Sequence, residues 1–211
     1  MNTYRDIKIK IDGDYLRTTN LTPLIGYDVK VLNQGNSQDC LRFLNYFIDY
    51  CIDYTPQIMP EQTIAYHSWL VQLSNSNDSI LSVWEAKSNG DGFVEGISYA
   101  TKVISEQEDL CSRFDASPVY PQFSQNIVIS KGVYEGLSID AVRYSSPEHM
   151  TGWWLTTDLY DDNIESLINV HYYHVAFNRP DILKYLALPY GFRLYLSDSE
   201  EDIWFDENAF D

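Results

Sequence analysis

Short apolar segments typical of β-strands alternate irregularly with helical segments in this sequence, and this order restricts the chain to a few fold classes. Strict strand–helix alternation predicts a parallel sheet with helices on both faces, whereas an irregular order favours sheets and helices in separate layers. We therefore expect an α+β fold with mixed or antiparallel sheets, a few packed helices and two subdomains.

Three segments have the features of helices. Apolar residues recur at helical spacing between Gln38 and Tyr54, and Ser37 is a suitable N-cap for this helix. A second helix is expected from Phe93 to Cys111. A short third helix, with Pro180 in its first turn, is expected to extend to Leu186.

Most of the remaining apolar segments have the length and the flanking turn residues of strands. The predicted strands are Tyr4–Ile11, Ile25–Leu32, Ala65–Leu73, Ile80–Ala86, Asn126–Ser130, Ile139–Tyr144, Gly152–Thr156 and Gly191–Leu196. The stretch from Asp115 to Gln122 contains Pro118 and Pro121 and is the most linker-like part of the chain. We therefore predict one α+β domain over residues 1–115 and a second over residues 124–211.

The cysteines and the N-terminus indicate a cytoplasmic protein. Cys40, Cys51 and Cys111 form neither a CxxC pair nor an even framework, so we expect buried thiols in a reducing compartment. Residues 1–6 contain no apolar run of signal-peptide length, and no later segment reaches transmembrane length.

The net charge of −17 decides which partners are compatible with the chain. Binding to nucleic acid requires a basic surface, and adhesion to an anionic membrane is disfavoured for the same reason, so we expect neither. An acidic surface favours fast capture of a basic protein partner. The acidity is uneven: residues 1–131 have 16 acids and 10 bases, whereas residues 132–211 have 15 acids and 4 bases.

The acids of the C-terminal part form two groups. The first follows Gly152-Trp153-Trp154, and the second lies between Asp198 and Asp211, where seven acids and no base surround Trp204 and Phe205. The second group is either a solvated, frayed terminus or a surface that docks into a basic groove. The residues predicted to contact the partner are Asp158, Asp161, Asp162, Glu165, Glu200, Glu201, Asp202 and Trp204.

Enzymatic alternatives have weaker support in the sequence. Two of the carboxylates near Trp153 and Trp154 could act as the acid pair of a carbohydrate-active hydrolase. His171 and His174 have a spacing that occurs in metal sites, but the HExxH motif is absent. The sequence also has no GxSxG, GxGxxG or P-loop motif. We therefore expect neither an enzyme nor a bound cofactor or metal.

Several runs of the C-terminal half resemble one protein family. They include the run from Arg143 to Asp158 with its Gly-Trp-Trp core, the run Leu188-Pro189-Tyr190-Gly191-Phe192-Arg193, and the run from Asp202 to Glu207. From about Ile127 to the end, the chain resembles the bacterial immunity protein 33 domain.

The resemblance implies a cytoplasmic antidote that binds and neutralises a cognate antibacterial toxin, delivered by a secretion system during interbacterial competition. It brings no catalytic residues with it. Many such toxins are nucleases with basic clefts, which an acidic surface could occlude. Two alternatives remain open from the residues: a general assembly module, and contact with the toxin through the N-terminal part.

Overall fold

The computed structural model of the chain describes residues 2–210, so Asp211 of the acidic terminal segment lies outside the described residues. The chain divides between Lys102 and Val103 into two compact units. The first contains an eight-stranded sheet and the second a six-stranded sheet, and helices accompany both. The predicted α+β class with two subdomains is confirmed. The bounds 1–115 and 124–211 remain a prediction.

Eight strands and two helices build the first unit before the division. They are β1 (Asn2–Tyr4), β2 (Ile7–Asp12), β3 (Tyr15–Thr18), α1 (Thr22–Ile25), β4 (Asp28–Leu32), α2 (Ser37–Tyr54), β5 (Gln62–Tyr66), β6 (Trp69–Asn77), β7 (Ile80–Ala86) and β8 (Phe93–Glu95). The strand order is β1-β2-β3-β4-β7-β6-β5, and β8 pairs with β7. Only the β4–β7 pair is parallel among these described strands, so the sheet is mixed.

Helix α2 is amphipathic, as its periodicity predicts. Its buried residues recur at helical spacing and comprise Cys40, Phe43, Leu44, Phe47, Ile48 and Cys51. The N-cap is Asn36, whose side chain accepts a hydrogen bond from the backbone N–H of Gln38; the predicted cap, Ser37, is the first helical residue. Cys40, Cys51 and Cys111 are free and buried, as expected. Burial raises the pKa of Cys51 to about 12, so this thiol stays protonated.

The predicted single strand Ala65–Leu73 is wrong, because it spans a hairpin. Tyr66 pairs with Trp69, and His67 and Ser68 form the two-residue turn between β5 and β6. His67 adopts a positive φ of 52°, a conformation that usually selects glycine or asparagine in such a turn. Since neither residue is present, the usual sequence signal of a two-residue turn is missing here.

The predicted helix Phe93–Cys111 is partly wrong, because its first residues form β8. The chain then turns at Gly96, with a φ of +117°, and α3 extends over Ser98–Arg113. The buried carboxylate of Glu85 caps α3 by accepting hydrogen bonds from the N–H groups of Tyr99 (3.1 Å) and Ala100 (2.6 Å). Burial raises the pKa of Glu85.

The six-stranded sheet of the second unit positions the C-terminal acids. Its elements are β9 (Asn126–Ile129), β10 (Ile139–Arg143), β11 (Met150–Thr156), β12 (Ile168–His171), α4 (Tyr172–Asn178), β13 (Phe192–Leu196) and β14 (Glu201–Phe205), with 3-10 helices at Ile164–Ser166, Pro180–Tyr185 and Glu207–Ala209. The order is β12-β9-β11-β10-β13-β14, and β9 and β11 are parallel. Residues 201–205 of the terminal acidic segment are thus a paired strand.

One face of this sheet forms the core of the second unit. Leu194, Ala141 and Leu155 are cross-strand neighbours, and each is at most 1% exposed. The C-terminal part of α3 is hydrogen-bonded to the segment around the 3-10 helix Pro180–Tyr185. The side-chain amide of Gln107 donates to the carbonyl of Leu183 at 2.9 Å, and this pair ties the helix to the core.

Candidate functional site

Arg143 is a buried cation at the centre of the second unit. It is 1% exposed, and carbonyl oxygens rather than carboxylates surround its guanidinium. Its Nε donates to Thr151 at 2.8 Å. Its Nη1 lies within hydrogen-bonding distance of three further carbonyls, those of Val119 (2.8 Å), Leu186 (3.2 Å) and Leu188 (2.6 Å). Burial lowers the pKa of Arg143 to about 10, so the group is still charged at neutral pH.

The Gly-Trp-Trp run packs directly against this cation. Trp153 pairs with Arg143 across β10 and β11, is fully buried, and donates from its indole N–H to the carbonyl of Leu186 at 2.9 Å. The ring of Trp154 is half-buried on the other side of the strand. The strand therefore directs one of the two rings into the core and the other away from it. Gly152 has a φ of +83°, and a Cβ there would lie 2.3 Å from the carbonyl oxygen of Tyr144.

The second run that carries the resemblance also has a structural role. The N–H of Gly191 donates to the carbonyl of Arg143 at 2.8 Å, and the ring of Phe205 covers Gly191 so closely that a Cβ would lie 2.5 Å from it. Phe205 also packs edge-on against Phe192 with a centroid separation of 5.5 Å. The two runs therefore meet around Arg143 and hold β10, β11, β13 and β14 together.

All four bases of residues 132–210 are engaged within the fold. Arg143 is bonded to carbonyls, and Arg179 is buried against Asp181 and the carbonyl of Val133. Lys184 pairs with Glu201 at 3.2 Å. The Nε of Arg193 lies 2.7 Å from a carboxylate oxygen of Asp206, an ion-pair distance although the N–H does not point at that oxygen. The other acids of residues 132–210 are exposed and have no ion pair among the described residues, so the surface charge of this stretch is almost wholly negative. The second unit also contains two exposed bases outside this stretch, Arg113 and Lys131.

The first predicted acidic group lies on the loop between β11 and β12. Asp158, Asp161, Asp162 and Glu165 are all exposed. The carboxylate of Asp161 accepts hydrogen bonds from the hydroxyl of Ser166 (2.7 Å) and the N–H of Asn163 (3.1 Å), and these bonds lower its pKa. Asp161 therefore shapes the loop, whereas the other three carboxylates point to solvent.

The second predicted group lies on β14 and on the turn before it. Glu200, Glu201 and Asp202 are exposed, and Trp204 is 42% exposed. The hydroxyl of Tyr185 donates to Glu201, and this bond is the main cause of the lowered pKa of that carboxyl. Because β12 and β14 are the two outer strands of the sheet, the structure does not bring the two acidic groups into one cluster.

The geometry gives no support to the hydrolase alternative. The four carboxylates near the Gly-Trp-Trp run are exposed rather than buried in pairs, and Trp153 is too deeply buried to act as a platform for a sugar ring. Within residues 2–210, no group of three or more histidine, cysteine or acidic side chains could hold a metal ion. His171 ends β12, and His174 lies in α4. None of the described helices is long and apolar enough to span a bilayer.

Comparison with protein families gives a match in the C-terminal half of the chain. Residues 106–206 match the family model of the Imm33-like domain. The matched region begins in α3, about twenty residues before the resemblance seen in the sequence, and it includes all six strands of the second sheet. No curated protein and no solved structure matches the chain.

Proposed function

Because residues 106–206 form an Imm33-like domain, a family that suggests an immunity protein, we propose that the chain binds and neutralises a cognate antibacterial toxin in the cytoplasm. The family match is the observation that carries this proposal. The structure contributes an electrostatic argument: all four bases of residues 132–210 are engaged internally, so most exposed acids of this stretch have no paired cation within it. A basic partner would be attracted over distances up to the Debye length, about 10 Å at 0.1 M salt.

Neutralisation would follow from occlusion of the toxin's active site by this acidic surface, without chemistry by the chain itself. A stable inhibitory interface buries roughly 800 Å² of each partner, which is enough to close an enzyme cleft. The family assignment implies a role in binding rather than catalysis. No metal or cofactor enters this mechanism.

The proposal is tested with the neighbour protein, by which we mean the product of the gene adjacent to that of this chain. We expect the toxin domain of the neighbour protein to arrest the growth of a bacterial host, and co-expression of the full chain to restore growth. A complex of the two proteins should be recovered by size-exclusion chromatography. Arrest that continues at equal expression levels, with no complex, would refute the proposal.

Charge reversal tests the electrostatic part of the proposal. The variant Asp158→Lys, Glu165→Lys, Glu200→Lys changes three exposed carboxylates that have no side-chain bond, and Asp161 is left intact because it holds its loop. We expect association with the neighbour protein to slow by about tenfold or more at low ionic strength, and by less at high salt. Stopped-flow fluorescence measures both rates.

The matched control is Asp14→Lys, Asp78→Lys, Asp91→Lys, which changes the net charge equally but alters exposed residues of the first unit. If the control slows association less, the acids that attract the partner lie in the second unit. Equal slowing in both variants would instead assign the effect to net charge alone. An unchanged rate in the first variant would show that these acids do not steer association.

A further inference from the structure

A cross-strand row of side chains traverses all six strands of the second sheet on the side opposite its core. The row consists of Asn169, Val128, Trp154, Val142, Arg193 and Trp204, each directly opposite the next in the strand register. Directly opposed residues share one face of a sheet. Tyr195 lies on the same face, two residues from Arg193 along β13. We call Val142, Trp154, Arg193, Tyr195 and Trp204 the open face.

The open face is accessible, in contrast to the core face. The core-face neighbours Leu194, Ala141 and Leu155 are at most 1% exposed, whereas Val142, Trp154, Arg193 and Tyr195 are half-buried and Trp204 is 42% exposed. A half-buried side chain on a sheet retains area that a partner can cover. The strand pairing therefore presents several such side chains on one continuous surface.

The composition of the open face is that of an interface centre. Tryptophan, tyrosine and arginine are the residues most enriched where binding energy concentrates in protein–protein interfaces. The ring of Trp154 is also held in place, because it packs edge-on against Tyr144 at 6.1 Å and 88°. Little conformational entropy of this side chain is therefore lost when a partner covers it.

The charges on and around the open face select a basic partner. Its single cation, Arg193, lies at ion-pair distance from Asp206. Asp140 and Asp202 flank Tyr195 in the adjacent cross-strand row, are exposed, and have no ion pair among the described residues. The surface therefore combines an apolar centre with uncompensated carboxylates. A partner with apolar side chains surrounded by lysine or arginine would match both features.

We propose that the open face is the surface that contacts the toxin, and that its occupant is a basic face of the toxin with an apolar centre. This inference rests on the proposed function. It adds that most of the binding energy comes from the open face. The acids of the β11–β12 loop and of β14 attract the partner at the rim of this face. Of the residues predicted from the sequence, Asp202 and Trp204 belong to the open face or border it.

The test uses the full chain and the inactivated toxin domain of the neighbour protein. Trp204→Ala removes the most exposed ring of the open face, and Val142→Lys places a cation at its centre. We expect each variant to lower the affinity by about 30-fold or more, the loss typical of a residue at the centre of an interface. Tyr54→Ala, which removes a ring 74% exposed at the end of α2, is the matched control and should bind like the wild type.

Hydroxyl-radical labelling of the wild-type complex gives a second readout that does not depend on a variant folding. We expect Trp204 and Tyr195 to be labelled less in the complex than in the free chain. If the wild type binds but both variants bind equally well and the labelling is unchanged, the open face is not the contact surface. If the free chain self-associates and this protects Trp204 and Tyr195 from labelling, the open face binds a second copy of the chain. That result would overturn the proposal. Failure of the wild type to bind would instead refute the proposed function.

Discussion

Replacing Arg143 with alanine is expected to lower the free energy of unfolding by about 3–5 kcal/mol, because buried carbonyls lose their donor and a large buried side chain is removed. The side chain donates to carbonyls from three separate segments, those of Val119, Thr151 and the Leu186–Leu188 stretch. Alanine would remove the guanidinium donor from the carbonyls of Val119, Thr151 and Leu188 and would open a cavity beside the rings of Trp153 and Tyr190. Urea denaturation followed by tryptophan fluorescence measures the change.

Two further variants separate the causes of this loss. Arg143→Met restores most of the volume but supplies no donor, so we expect it to retain most of the destabilisation. Arg113→Ala changes an exposed arginine at the end of α3 and should shift the stability by no more than about 0.5 kcal/mol. A methionine variant as stable as the wild type would show that the hydrogen bonds of Arg143 contribute no net stability.

The variant Gly152→Ala is expected to lower the free energy of unfolding by about 3 kcal/mol or more, because backbone strain and a steric clash act together. The φ of +83° is unfavourable for alanine, and the new Cβ would lie 2.3 Å from a backbone oxygen that β10 and β11 hold in place. To relieve this clash, β10 and β11 would have to separate at the point where Trp153 packs on Arg143. Thermal unfolding measured by circular dichroism should show a clear fall in the midpoint.

Gly136→Ala is a closely matched control for Gly152→Ala. Gly136 has nearly the same φ, +80°, but no atom lies within 4 Å of the position its Cβ would take. This variant should lower the free energy of unfolding only by the backbone strain of alanine at positive φ, about 1–2 kcal/mol. The difference between the two alanine variants therefore measures the clash alone. Equal losses would mean that the chain around Gly152 relaxes freely.

Local patterns predicted much of the scaffold correctly. The two-residue period of Ile139, Ala141 and Arg143 would also have placed Arg143 on the core face, had the charge not argued against burial. The carbonyls that make this burial possible come from Val119 and from residues more than 40 positions later in the chain. A single sequence does not reveal such distant partners, so the central role of Arg143 was missed.

The site could be predicted only in part for a related reason. Charge counting identified the two acidic groups, but whether they contact a partner stays a prediction. The open face depends on which strands lie side by side, and β14 was not recognised as a strand because two acids occupy its first positions and leave only three apolar residues. The register that aligns Trp154, Val142 and Trp204 therefore appears only in the folded chain.

The position of β14 at the border of its sheet has a consequence for how the protein behaves at high concentration. An outer strand exposes unpaired backbone groups, and two such borders from different molecules can join into a continuous sheet that seeds aggregates. Asp202, which has no ion pair among the described residues, places a negative charge on this border, so two copies that approach each other there repel. Under the proposed function, carboxylates that attract a toxin would thus also keep the chain dispersed in its absence, and acidification would weaken both effects together.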